Sequence, residues 1–275
     1  MLELRMAKGS IFEDVLEAIL DLVNVANVDC SSKGFSLQAL DTEHVVFLSL
    51  FFPSEVFKSY RCDEDHSMGI AIADMVNLLR ASNDGDIITI KVTDENFEDI
   101  TITFESPDKT KTAAMGLRLL DARSQRLNIP DWHDMESEIL VMYLEPFPSP
   151  AVVVITMDEE VISFFTKGKS GCVNISHVPN KTDNPEKDSV TLTHMRGPVS
   201  MILNPSYMKS CAKVSTLFYQ VKFGLSTTRP LMVEFQIAEK GYIRYFVAPI
   251  EAKGEEGRQR KKAKKNDETG HEMLG

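Results

Sequence analysis

No stretch of this sequence carries the roughly 18–20 consecutive apolar residues that a membrane-spanning helix needs. The opening residues, with Glu3 and Arg5 among apolar neighbours, lack the profile of a signal peptide. Both absences predict a chain with no membrane partner. The four cysteines, Cys30, Cys62, Cys172 and Cys211, are widely separated and form no C-x-x-C pair. They read as reduced intracellular thiols in preference to disulfides. The six histidines have no ligand spacing with them, which predicts no metal. Catalytic signatures are missing as well. There is no G-x-S-x-G, no complete phosphate loop and no G-x-G-x-x-G after a strand. Lys167-Gly-Lys-Ser170 has the letters of a phosphate-loop tail without the upstream glycine, and a hairpin turn explains it better. The acids Asp94/Glu95 and Asp158-Glu159-Glu160 fall in predicted turns, where solvated carboxylates are expected in preference to acid–base pairs. The expectation is a protein that is not an enzyme and needs no cofactor.

What is present is a body and a tail of opposite charge. The 275 residues, 43% of them apolar, suffice for one large core or two moderate ones. Net charge is −11, yet Arg258, Arg260, Lys261, Lys262, Lys264 and Lys265 place six positive charges within eight residues, leaving −17 for the rest. Three readings of this tail stand side by side: a nuclear import signal, an accessory arm that neutralises DNA phosphates, and a solvated end.

Helix signals are few. Ser10 with Glu13 three residues on has a capping-box pattern, followed by the apolar stripe Phe12, Val15, Leu16, Ile19, Leu22 and Val23. A second helix is expected at about Ala73–Ala81, with Met75, Leu78 and Leu79 facing inward. A third opens at Asn204-Pro205, a cap followed by proline at the first helical position, and runs to about Lys213. Most of the remainder alternates with period two, as in Gly85–Phe104 and Ala151–Phe165, each a strand, an acidic turn and a strand. The pattern predicts an α+β fold of two similar halves. Their expected bounds are 1–117 and 136–250, with a polar connector over 118–135 and a tail over 251–275.

Val28–Leu50, VDCSSKGFSLQALDTEHVVFLSL, reads as a hairpin and a half turning at Ser31-Ser32-Lys33-Gly34. Tyr60-Arg-Cys-Asp63, Met68-Gly69, Asp86-Ile-Ile-Thr-Ile90, Phe104-Glu-Ser-Pro107, Leu127-Asn-Ile-Pro130 and Tyr245-Phe-Val-Ala-Pro249 follow in order. On these motifs the sequence resembles the proliferating cell nuclear antigen family, the eukaryotic sliding DNA clamps.

The resemblance implies a DNA-clamp fold with pore-lining helices. It implies a homotrimeric ring closed by pairing the edge strands Thr112–Leu120 and Cys172–Val178, or a ring shared with a clamp paralogue. It implies a processivity factor that encircles duplex DNA without reading sequence, is placed by a clamp loader, tethers DNA polymerase and other replication and repair proteins, and works in the nucleus. Its partner pocket would comprise Leu40, His44, Val45, Phe47, Leu127, Ile129, Pro130, Pro230, Phe246, Val247, Ala248 and Pro249. For Val45 and Val247 an ordinary core position is an equal alternative. DNA contact would fall to Arg80, Lys209 and Lys213.

Two stretches depart from the family pattern. Glu13-Asp14 stands where two lysines are usual, and residues 9–32 contain no basic residue. Glu145-Pro-Phe-Pro-Ser-Pro150 stands where a pore helix is usual, and its three prolines exclude a helix. This predicts exposed apolar strand faces in the second half. It also keeps a second reading open, a non-encircling or heteromeric clamp-like scaffold that retains the pocket but holds DNA poorly. Glu159 occupies the position of the lysine that the family modifies with ubiquitin-like proteins.

Overall fold

The computed structural model describes residues 1–7, 10–83, 85–92, 98–121, 137–141, 152–158, 160–168, 171–179, 190–195, 197–218 and 220–250. Outside them lie the pocket candidates Leu127, Ile129 and Pro130, the proline-rich stretch 145–150, Glu159 and the basic cluster 258–265.

The first half contains β1 (Leu2–Ala7), α1 (Ile11–Ile19), β2 (Val25–Ser31), β3 (Gly34–Leu40), β4 (Val46–Pro53), β5 (Ser59–Cys62), β6 (His66–Ala71), α2 (Ile72–Leu79), β7 (Ile87–Val92), β8 (Asp99–Glu105) and β9 (Thr112–Arg118). The second contains β10 (Ser137–Val141), β11 (Val152–Met157), β12 (Ile162–Gly168), β13 (Gly171–His177), β14 (Val190–Met195), β15 (Val199–Leu203), α3 (Pro205–Ser215), β16 (Val221–Leu225), β17 (Leu231–Ile237) and β18 (Gly241–Val247). The fold is thus a two-domain, sheet-rich α+β architecture carrying, among the described residues, three short α-helices.

Three antiparallel sheets organise these strands. A five-stranded sheet runs β5-β1-β7-β8-β9, and a four-stranded sheet runs β13-β12-β11-β15. The nine-stranded sheet, β14-β10-β16-β17-β18-β4-β3-β2-β6, joins the halves through β18 and β4, which pair from Phe51–Tyr242 to Val46–Val247.

Helix α1 lays Phe12, Val15, Leu16 and Ile19 on the first-half core, where the Phe12 ring meets Phe35 at 5.1 Å and Phe52 at 5.2 Å. The capping box expected at its start does not form. The Ser10 carbonyl accepts the Glu13 N–H at 3.0 Å, so the donor meant for the Ser10 hydroxyl is already taken. Ser10 Oγ and Glu13 Oε2 are left buried without a partner. The third helix starts as expected, with Asn204 Oδ1 accepting from the Ser206 N–H at 3.0 Å.

Among the described residues of the second half, apolar strand residues are in part exposed, Phe165 to 37% and Val173 to 39%, and in part buried. Val153, Ile155, Met157, Ile162, Phe164, Val199, Met201, Leu203, Phe223 and Leu225 are each at most 4% exposed. Helix α3 packs Tyr207, Met208, Cys211 and Val214 into the same core. All four cysteines are free thiols, Cys30 and Cys211 buried, Cys172 exposed.

Candidate docking face and nucleic-acid interface

Strand alternation decides which side chains reach the outer face of the nine-stranded sheet. On β18, Ile243, Tyr245 and Val247 point into the core while Tyr242, Arg244 and Phe246 point away. On β4, Val46, Leu48, Leu50 and Phe52 point inward and Phe47 and Phe51 outward. Register then stacks Leu40 beside Phe47, Phe47 beside Phe246, and Phe246 beside Met232, one apolar row across four strands. The Phe47 and Phe246 rings lie 5.7 Å apart, a tilted contact. Leu40 is 44% exposed at one end, whereas Met232 is fully buried at the other without belonging to the core cluster, so it is the covered end of a candidate docking row. The next row is polar: Arg244 pairs with Glu234, and its guanidinium stacks 3.8 Å from the Tyr242 ring centroid.

The rim is a tight turn built on Asp41. Its buried carboxylate accepts the backbone N–H groups of Glu43 at 3.2 Å and of Val45 and Val46 at 2.7 Å. This holds exposed His44 at φ +57°, the left-handed region. The Val45 carbonyl accepts the Ala248 N–H at 2.9 Å, extending the β18–β4 ladder by one step.

Of the expected pocket residues, the structure sets Leu40, Phe47 and Phe246 in one row, with Ala248 bonded to Val45 at its edge, Val45 itself packing partly against the core, His44 on the adjoining turn, and Pro230 and Pro249 exposed. Val247 is a core residue, because the alternation that turns Phe246 outward turns Val247 inward to 0% exposure. Sequence reasoning missed Met232, although it stands two residues from Glu234 in a clear period-two run. It also missed Asp41, whose signal was its position just before the Thr42–His44 turn.

The chain leading to the connector is fixed at its start. Leu120 and Gly69 exchange two backbone hydrogen bonds, at 2.9 and 3.2 Å, and Leu119 N–H donates to the Glu98 carbonyl at 2.7 Å. A Cβ on Gly69 would sit 2.7 Å from the Leu120 carbonyl oxygen, so only glycine permits this approach.

The basic residues expected to meet DNA stand against helix α1. Arg80, just past α2, pairs with Glu17, and Lys213 of α3 pairs with Asp21. Lys209 and Lys213 line a cleft of about 510 Å³ between α3, the end of α1 and the Asp41–Glu43 turn. Across it Tyr207 Oη donates to Glu43 Oε2 at 2.9 Å, and burial, then the Glu43 carboxylate, push the phenol pKa upward. Glu13 is not part of the exposed acidic face, since it is only 7% exposed. The outward acids are Glu17 and Asp21, with Asp14 half-buried and its carboxyl held above the usual range, by burial first and then by Glu17.

Among the described residues, six strands end the three sheets, and two of them are long and open. β9 and β13, seven residues each, expose most of their side chains. Residues 1–126 match the family model of the proliferating cell nuclear antigen N-terminal domain, and residues 148–250 match that of its C-terminal domain. Two such domains in this order, sharing one sheet through β4 and β18, identify the chain as a member of the proliferating cell nuclear antigen family of sliding clamps.

Proposed function

We propose that this chain is a DNA polymerase processivity factor: a homotrimeric ring that encircles duplex DNA, is placed there by a clamp loader, and tethers replication and repair proteins in the nucleus. It carries out no reaction itself. The observation that carries the reading is the pair of equal-length terminal strands, β9 and β13, one in each half. An unpaired edge is a liability that ring closure removes, because β9 of one copy can complete the ladder of β13 in the next. The hollow formed by Leu40, Val45, Phe47, Phe246 and Ala248 then receives the apolar plug of each partner, with Leu127, Ile129 and Pro130 as the connector's share. The basic cluster 258–265 serves nuclear import.

Light scattering across a size-exclusion peak tests the ring. The expected mass is three times 30.9 kDa, and Ala114→Pro, which removes a donor from β9, should lower it. A wild-type monomer would overturn the reading. A second reading, a clamp-like scaffold or heteromeric partner that holds DNA poorly, is favoured by one observation: Arg80 is engaged by Glu17 of α1 and Lys213 by Asp21 just past it.

A further inference from the structure

The outer face of the four-stranded sheet carries a second apolar row. Register places Ile202 of β15 beside Val154 of β11, and Val154 beside Phe165 of β12. Their inward neighbours Leu203, Val153, Ile155 and Phe164 belong to the core, and these three do not. Ile202 and Val154 are half-buried and Phe165 is 37% exposed. The adjacent row on the same face is polar, Ser200, Thr156, Ser163 and Ser176, with the two serine hydroxyls of Ser163 and Ser176 bonded at 2.8 Å. On the other side the register places Lys167 between Val152 and Cys172, so a charged residue interrupts the apolar surface there.

The stripe is continuous with the docking hollow. Past β18, the Ala248 N–H reaches the Val45 carbonyl on the rim of the hollow, and two residues later the Ile250 N–H reaches the Ile202 carbonyl at 2.7 Å. Pro249 between them is exposed and Ile250 is 44% exposed. The segment Ala248-Pro249-Ile250 thus bridges two apolar surfaces. Single apolar residues at a surface need no explanation, but a row leading away from a hollow marks an interaction surface. Its size decides the occupant. Neighbouring strands lie about 4.8 Å apart, so a row across three of them is only roughly 10 Å long, suited to an extended segment and too small for a globular face.

We propose that Ile250, Ile202, Val154 and Phe165 form an extension of the docking site that accepts an extended, uncharged, apolar segment flanking the plug of a partner peptide. The inference rests on the hollow being the docking site. It adds that this chain selects partners by the apolar character of the flank as well as by the plug.

Fluorescence polarisation on the full chain tests it, with a labelled peptide carrying only an aliphatic–aromatic plug. The same peptide is also lengthened at either end by Leu-Ile-Leu or by Ser-Gly-Ser. One Leu-Ile-Leu peptide should bind about tenfold tighter than its Ser-Gly-Ser counterpart, the effect of burying one or two aliphatic side chains. Ile250→Lys and Phe165→Ser should each remove most of that gain while leaving plug-only affinity and the far-UV spectrum unchanged. Ile250 lies beyond the last strand, so its variant cannot disturb a ladder through β-propensity. Binding of the plug with no gain from the apolar extension, or a gain that survives both variants, overturns the row alone. Absence of binding by every peptide overturns the hollow and the row with it. A fall in mass by light scattering for Phe165→Ser would assign the row to contact between copies and overturn the proposal.

Discussion

The Lys213 ammonium is paired with the Asp21 carboxylate, closing the seam between α3 and the end of α1, as Glu17 and Arg80 close the seam with α2. All four side chains are about half exposed, so each pair contributes no more than about 1 kcal/mol to stability. Their consequence is electrostatic. Arg80 and Lys213, both expected to meet phosphates, already have a carboxylate partner.

Asp21→Asn with Glu17→Gln should therefore strengthen association with a labelled duplex at low salt. The slope of log affinity against log salt should steepen by about one for each cation recovered. Anisotropy titrations over a salt series read this directly, and an unchanged slope would remove Arg80 and Lys213 from phosphate contact. Glu13→Lys should behave differently. It places an ammonium at a buried position and should lower the melting temperature with no gain in DNA binding.

Phe246 and Val247 are neighbours with opposite duties. Phe246→Ala should weaken a plug peptide at least tenfold, with little change in urea midpoint, because the ring lies on the outer face over Phe47. Val247→Ala should cost about 2 kcal/mol in stability by opening a cavity in the core. Equal effects of the two on binding and stability would sink this division.

Gly69→Ala should break the paired hydrogen bonds to Leu120, since its methyl would also come within 3.2 Å of the Leu120 Cβ. The expected loss is about 1–3 kcal/mol, the range for overpacking, measured by urea denaturation. Plug binding should weaken in parallel, because the Gly69–Leu120 bridge fixes the chain seven residues before Leu127.

Stability should fall as pH rises above about 9. Burial pushes the Cys211 thiol from its ordinary 9.0 up to about 12, and raises Tyr245 well above 10.0. Each group keeps its proton in the folded chain at a pH where the unfolded chain has lost it. The stabilisation is thus whole below the unfolded value and is lost on the alkaline side. Tyr245 Oη is also buried without a partner, so Tyr245→Phe should leave stability unchanged or raise it by up to about 1 kcal/mol. It should also flatten the alkaline loss, as thermal melts from pH 7 to 11 would record.

The alternation of the strands and the Asn204-Pro205 helix start were legible because each depends on neighbours in sequence. The phase of β18 was not, which is why pocket and core stood as equal alternatives for Val247. Period two fixes which residues share a face, and only pairing with β4 fixes which face is inside. The Ser10–Glu13 box misled for a related reason: a backbone carbonyl competed for the same N–H, and the letters of a motif do not record that competition. The hollow was partly legible through Leu40, Phe47 and Phe246. Met232 joins it through a strand register, and the separate Asp21–Lys213 and Glu17–Arg80 pairs arise from helix packing, neither of which a local pattern encodes.

The pairing of β4 with β18 also sets an order of events on the ribosome. β4 ends at Pro53, while its partner begins at Gly241. Throughout most of synthesis the growing chain must carry Val46–Pro53 with one edge unsatisfied, an apolar strand available to any neighbouring nascent chain. The first half is thereby committed to a long wait, and shielding of that edge by a chaperone, rather than the speed of folding itself, should govern how much protein a cell recovers.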